Sequence, residues 1–400
     1  MKYSTKVKIA VGIGFAFIII MAIVMFVFVS NNSTSEEIQD EDNISAETTI
    51  VEEFTNEILL YDIASFGIKE SDEGTYLYKI SNDLEEEAFI NLEQSDDLSF
   101  TNFVDYTYSD GKVYLLYQID EVAQIYSIDL ENYEKELVTE IELDEESVCG
   151  GLGYNKIICA YDDKIYFIIE SSWKYEPTYI YEYDIANDST EILIQTNEGT
   201  LYDWEFISNR ITLDKENNMI YYITITYKDE QTNSHIYKLD IENKTKEEIL
   251  NIAESEFGEL IIKDNYLVCS VVKDETTSID EMTSIYYIYN IEEETILELG
   301  ENDNYYSYAY FSGNIAFTDD YIIFSDGEKI LLSDYNGEIN SEIQICEEDE
   351  EILEIANLTE DQIQVKLGED TNIERVVIID FNYDILEEVE ESYSNVLTIK

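Results

Sequence analysis

The stretch "YDDKIYFIIESSWKYEPTYIYEYDI", residues 161–185, opens on two aspartates, runs into the apolar KIYFII, crosses a loop and returns as a second run ending on Asp184. An Asp-Asp pair between two β-prone runs suits a two-residue hairpin turn, because aspartate tolerates left-handed backbone and bonds to nearby amides. KIYFII does not alternate apolar with polar residues, so its strand is expected to be covered on both faces of its sheet.

Both halves of the phrase recur along the chain. The second half returns as LYKISNDL, IYSIDLEN, IYEYDIAN, IYKLDIEN, YYIYNIEE, ILLSDYNG and VVIIDFNY, which end their strands at Ser81, Asp129, Asp184, Asp240, Asn290, Asp334 and Asp380. The spacings of 48, 55, 56, 50, 44 and 46 residues lie at or somewhat above the length of a propeller blade. The first half returns as SDGKVYLLY, YDDKIYFII, KENNMIYYI, KDNYLVCSV, TDDYIIFSD and TEDQIQVKL, each a short Asp, Asn or Gly turn feeding an apolar run. Each unit therefore reads as strand, acidic turn, strand, variable loop, strand, Asp-Ile-x-Asn-like turn and a last strand such as TEILIQ, residues 190–195. Helical periodicity is absent outside the N-terminal apolar run, and a solenoid would need shorter, more uniform repeats. The expected fold is all-β, a seven-bladed β-propeller of four-stranded antiparallel blades over residues 54–400.

The first unit lacks an opening strand before NEILLYDI, and the chain ends in the strand-like NVLTIK, residues 395–400. The C-terminal strand is expected to join the first blade and close the ring, removing exposed edges. The rival source of that strand is TTIVEEF, residues 48–54.

Residues 9–29, IAVGIGFAFIIIMAIVMFVFV, are uncharged and mainly apolar, long enough for a helix to cross ~30 Å of hydrocarbon. Lys2, Lys6 and Lys8 precede them and Glu36, Glu37, Asp40, Glu41 and Asp42 follow. The positive-inside rule then puts residues 1–8 in the cytoplasm and the propeller outside, on a single-pass anchor at the cell membrane. Cleavage as a signal peptide is the competing reading, but Phe28 and Ser30 make a poor cleavage site. Residues 30–53, rich in Ser, Thr, Asn, Glu and Asp, read as a disordered acidic stalk.

The net charge of -68 comes from 90 acidic against 22 basic residues, and it excludes nucleic acid and anionic lipid surfaces as partners. No D-x-[DN]-x-[DN]-G loop is present, so no calcium site is expected. Cys149, Cys159, Cys269 and Cys346 lack C-x-x-C spacing, which argues against zinc and redox motifs. Cys159 and Cys269 fall in apolar strands as buried thiols, with a Cys149–Cys159 disulfide as the alternative for an extracytoplasmic domain. No metal and no cofactor are expected.

The repeated phrases resemble the membrane-anchored propeller proteins of bacteria, which are themselves similar to the YWTD propellers of low-density-lipoprotein receptors. KIYFII and MIYYIT share with Y-W-T-D the position and an aromatic residue. The resemblance implies a non-enzymatic binding or sensing module for an extracytoplasmic protein, peptide or glycan, and it carries over no catalytic residue. The alternative is a carbohydrate-active enzyme, a hydrolase or lyase, using paired acidic residues near the central channel. A spacer without a ligand is the third reading.

Loops between the second and third strands and crossings between blades share one rim of a propeller. That rim is expected to carry Trp173 and Tyr175 with the single proline, Pro177; Tyr202, Asp203 and Trp204; and Tyr305, Tyr306 and Tyr308. Aromatic rings beside carboxylates can stack on sugars or hold a cationic side chain, or they can simply pack between blades. Arg210, one of two arginines, is expected at the start of an inner strand near the channel. The single histidine, His235 in TNSHIYKLD, is expected to be structural, and no G-x-S-x-G, P-loop or H-E-x-x-H motif is present.

Overall fold

The computed structural model describes residues 49–50, 62–71, 74–92, 103–119, 122–142, 156–169, 177–197, 199–200, 203–228, 231–253, 255–256, 260–273, 283–302, 315–325, 327–347, 350, 351–369, 372–380, 385–389 and 394–398. All of them belong to one compact unit, Ala46–Lys400.

They form seven antiparallel sheets, in six of which the main strands follow one another in chain order from the inner edge outwards, while blade 1 also takes in the first and last described strands. Blade 1 holds Ile63–Ser71, Gly74–Ser81 and Glu86–Asn91, and blade 2 holds Phe103–Ser109, Lys112–Ile119, Val122–Asp129 and Lys135–Glu142. Blade 3 is Lys156–Tyr161, Lys164–Ile169, Tyr179–Asp184 and Ser189–Gln195; blade 4 is Asp203–Asp214, Met219–Lys228, Gln231–Asp240 and Thr245–Ala253. Blade 5 is Leu260–Lys263, Tyr266–Lys273, Thr283–Asn290 and Thr295–Asn302, with the short Ser255–Glu256 also pairing its second strand. Blade 6 is Ile315–Phe317, Ile322–Ser325, Lys329–Ser333 and Ile339–Gln344; blade 7 is Glu351–Asn357, Gln362–Glu369, Asn372–Asp380 and Ile385–Val389.

The acidic turns behave as their residues dictate. Ser109 pairs with Lys112 and Tyr161 with Lys164, leaving Asp110-Gly111 and Asp162-Asp163 as two-residue turns. All four have positive φ, 50°, 78°, 53° and 60°, the hand that matches the twist of the strands they join. After the third strands, Asn187 and Asn243 donate their backbone N–H to Oδ1 of Asp184 and Asp240, both at 2.8 Å. Their side-chain amides donate to the Oδ2 atoms at 2.8 and 2.7 Å. Asp188 and Lys244 then close these turns at positive φ. The side-chain bonds from Asn187 and Asn243, helped by the backbone bonds, hold both aspartates below the usual carboxylate range.

The core lies between the blades rather than within them. Buried side chains of blades 1 and 2 form one cluster around Phe66, Phe89, Leu115 and Tyr117, and those of blades 2 and 3 form another around Leu116, Ile125, Ile165 and Phe167. Blades 3 and 4 meet at Ile168, Ile180, Ile220 and Tyr222, blades 4 and 5 at Ile223, Ile225, Leu260 and Leu267. Blades 5 and 6 meet at Val268, Tyr286, Ile322 and Phe324, and blades 6 and 7 at Ala316, Ile330, Val365 and Val377. Ile80 of blade 1 with Leu358 and Ile378 of blade 7 completes the circle. Each sheet thus covers the two neighbouring faces, which is why strands such as KIYFII carry apolar residues on both sides.

Ser394–Thr398 supplies the inner strand of blade 1, pairing Leu397 with Phe66 and Thr398 with Ser65. The Ser65 hydroxyl also donates to the Leu358 carbonyl of blade 7 at 2.5 Å. The rival segment lies elsewhere: Thr49 and Ile50 pair with Asn91 and Ile90 on the outer edge of the same blade. Cys159, Cys269 and Cys346 are free thiols, and burial pushes the thiols of Cys159 and Cys269 up to about 12. Cys149, the apolar run 9–29 and the stalk lie outside the described residues, among which no helix is long and apolar enough to cross a membrane.

Candidate functional site

Of the expected rim residues, Trp173, Tyr175, Tyr202, Tyr305, Tyr306 and Tyr308 lie outside the described residues. Asp203 and Trp204 open the inner strand of blade 4. Asp203 is exposed, its carboxylate 4.0 Å from Lys228 Nζ. Trp204 is half-buried, stacked 5.4 Å from Tyr227 and 5.4 Å from Phe206, on the face that meets blade 5. Its ring therefore packs between blades, and Gly199 lies so close to the start of this strand that a Cβ there would overlap the Trp204 Cβ. Arg210 is well inside the inner strand, at the register shift between Ile207 and Ile211, not at its start.

The opposite face of blade 4, towards blade 3, carries a constellation that sequence reading treated as structural. Thr224 pairs with His235, Thr226 with Asn233, and Tyr222 with Tyr237, which in turn faces Glu248. His235 Nε2 lies 2.9 Å from the Thr226 hydroxyl, and Nδ1 lies 3.0 Å from Glu248 Oε2. The Tyr237 hydroxyl donates to the same Oε2 at 3.3 Å. An ionised Glu248 can only accept, so the neutral imidazole carries its proton on Nδ1 and leaves Nε2 to accept from Thr226. This is a hydroxyl, imidazole and carboxylate in series, with the base oriented by the acid. The His235 side chain is 13% exposed, sheltered but reachable.

A second carboxylate borders this group. Glu205, on the inner strand, pairs with Thr226 in the sheet. Burial raises the Tyr237 hydroxyl to about 12, and the charges of Glu248 and Glu205 push it the same way. Burial also raises Tyr222, with Tyr237 and Glu205 adding to the shift. Tyr222 stacks on Tyr237 with centroids 5.5 Å apart, and the hydroxyls of Tyr222 and Thr224 are buried without a hydrogen-bonding partner among the described residues.

Several buried or half-buried acidic residues elsewhere are engaged in ion pairs. Glu354, on the inner strand of blade 7, bonds Lys366 Nζ at 2.8 Å; burial raises its carboxyl while Lys366 opposes. Lys79 is buried against Glu87 at 2.9 Å and donates to the Tyr133 hydroxyl at 3.0 Å. Glu350 takes both Arg375 nitrogens, at 3.1 and 2.7 Å. No group of His, Cys, Asp and Glu among the described residues is placed to hold a metal ion.

No protein-family model matches the chain, and no curated protein is similar to it in sequence. Solved structures share its fold. A prolyl endopeptidase superposes with TM-score 0.53 at 11% identity, covering 85% of this chain and 51% of its own. Puromycin hydrolase superposes with TM-score 0.51 at 10% identity, covering 72% of this chain and 46% of its own. A protein from Lactobacillus plantarum does so with TM-score 0.51 at 10% identity, covering 85% of this chain and 99% of its own. This chain spans about half the length of the two enzymes. The preference for a non-enzymatic binding or sensing module is corrected by these neighbours, two of which are enzymes by name, a prolyl endopeptidase and a puromycin hydrolase. At such identities the likeness establishes the propeller fold, and activity has to be argued from the residues.

Proposed function

We propose that the chain is a bond-cleaving enzyme, a hydrolase or lyase, whose acid–base centre is His235 with Glu248 and Glu205 on blade 4. The observation that carries this reading is the imidazole held between Thr226 and Glu248 at 2.9 and 3.0 Å. Nε2, which accepts from Thr226 at rest, takes a proton from the attacking water, or from the carbon beside the scissile bond in a lyase, and Glu248 stabilises the imidazolium that results. The imidazolium then returns the proton to the leaving oxygen or nitrogen. Hydrolases among the proteins of the same fold support the assignment by analogy only. The acidic surface favours neutral or cationic substrates, and the proposed placement is outside the cell on the 9–29 anchor, where glycans and peptides are met. Kinship with the YWTD propellers is part of this proposal only as a shared architecture.

The test is turnover by the full chain in detergent on panels of chromogenic glycosides and peptide amides. His235→Ala is expected to lower kcat/KM at least ~100-fold, and Glu248→Gln to lower it while shifting the pH profile. Equal rates in wild type and His235→Ala, or no turnover on either panel, would contradict the proposal.

A further inference from the structure

Tyr222 and Thr224 are 0% and 1% exposed, and neither hydroxyl meets a partner among the described residues. Phenylalanine and valine would fill the same space without a buried polar group to satisfy. Tyr222, Thr224 and Thr226 occupy every second position of Met219–Lys228, so their side chains line one face. The backbones of Thr224 and Thr226 stand ~6.6 Å apart on one face, too far for like hydroxyls in parallel rotamers to bond directly, whereas one water at ~2.8 Å from each spans most of the gap. A buried water also needs two to four polar partners, and Glu205, paired with Thr226 in the sheet, is a further acceptor beside the column. The column ends at the Thr226–His235 contact.

We infer that the junction of blades 3 and 4 holds a short chain of bound water, running along Tyr222, Thr224 and Thr226 to His235, and that this chain delivers the water the reaction consumes. The reaction is then hydrolysis rather than elimination, which sharpens the acid–base reading and rests on it. His235 Nε2 takes one proton from a water of the chain as its oxygen bonds to the electrophilic carbon of the substrate. The bond to the leaving group breaks, and the imidazolium gives that proton to the departing atom. Substrate and water become two products, with no oxidant or reductant required.

Two measurements separate this inference from the acid–base reading. The first is a crystal structure of the full chain at a resolution that shows ordered water. Water is expected within hydrogen-bonding distance of both hydroxyls, and absent from the Tyr222→Phe/Thr224→Val double variant. A dry column in the wild type overturns the inference even if His235→Ala abolishes turnover. The second is the kinetics of the double variant, with kcat expected to fall about tenfold at unchanged KM. Thr224→Ser, which keeps the hydroxyl, is expected to retain both water and rate, and it serves as the readout if the double variant does not fold. A double variant as active as wild type, with His235→Ala inactive, sinks the water chain alone.

Discussion

The junction of blades 6 and 7 and that of blades 3 and 4 are built on the same plan and filled differently. The former is aliphatic almost throughout, with Ala316, Ile323, Ile330, Leu332, Ile355, Ile363, Val365, Leu367, Val377 and Ile379 interleaved. The latter shares aliphatic residues with it in Ile168, Ile180, Leu213 and Leu239, but adds Tyr222, Thr224, Thr226, His235 and Glu248. Burial stabilises the first at ~25 cal/mol per Å² of apolar surface, while the second leaves two buried hydroxyls unmatched among the described residues. A fold whose only structural demand is covered sheet faces has no use for that second arrangement. Local conflict with the rule of the fold marks where something else is being done.

The polar junction of blades 1 and 2 sharpens the point, because polarity alone is not the mark. Lys79 is 1% exposed yet fully occupied by Glu87 and Tyr133, and its ammonium also lies over the rings of Phe89 and Tyr133, 5.8 and 5.4 Å from their centroids. Lys79→Ala is expected to destabilise by about 3–5 kcal/mol in urea unfolding, while Lys79→Met with Glu87→Leu recovers most of the loss. A double variant as unstable as the single would show that the ion pair does more than satisfy itself. Leu367→Ala, in the aliphatic junction, should cost about 3 kcal/mol, and a cost below ~1 would break the contrast drawn here. Asp214→Ala removes the acceptor for Glu216 N, Asn217 N and Asn217 Nδ2, at 3.1, 3.0 and 2.7 Å, and should cost about 1–2 kcal/mol without altering turnover.

The smallest effect is pH dependence at the exposed turns. Asp184 and Asp240 are held below their ordinary range by the Asn187 and Asn243 side chains, and Asp334 chiefly by the Glu338 amide. Because their folded values are depressed, their stabilisation is complete above about pH 4 and fades as pH falls through the folded values. The stability gap between wild type and an Asp184→Asn/Asp240→Asn variant should therefore shrink on acidification below pH ~4. A gap constant across that range would mean that the charges are not what the turns use.

The blades were legible because hairpin chemistry is local. Asp162-Asp163 between KIYFII and its partner, or Asp184 with Asn187, specifies a turn within a few residues, and the spacing of such turns counts the units. Closure through residues 394–398 was legible from a missing strand at one end and a spare one at the other. The candidate centre was not, because it depends on register. Thr226 and His235 are nine residues apart and Glu248 a further thirteen, and they meet only because Lys228 pairs with Gln231 and a register shift at Ile236/Tyr237 brings Glu248 opposite Tyr237. Counting back from the Lys228–Gln231 pair puts Thr224 opposite His235, a signal that was present in the sequence; the shift that sets Glu248 was not. Trp204 shows the converse, since an aromatic residue at a strand start fits rim exposure and packing between blades alike, and only the fold sets it against Phe206 and Tyr227.

The claim that the junction of blades 3 and 4 is kept polar for chemistry is tested most directly by measuring unfolding free energy and turnover on one preparation of Tyr222→Phe/Thr224→Val. The account predicts stability equal to or above wild type, with kcat about tenfold lower. Lower stability with unchanged kcat would contradict it.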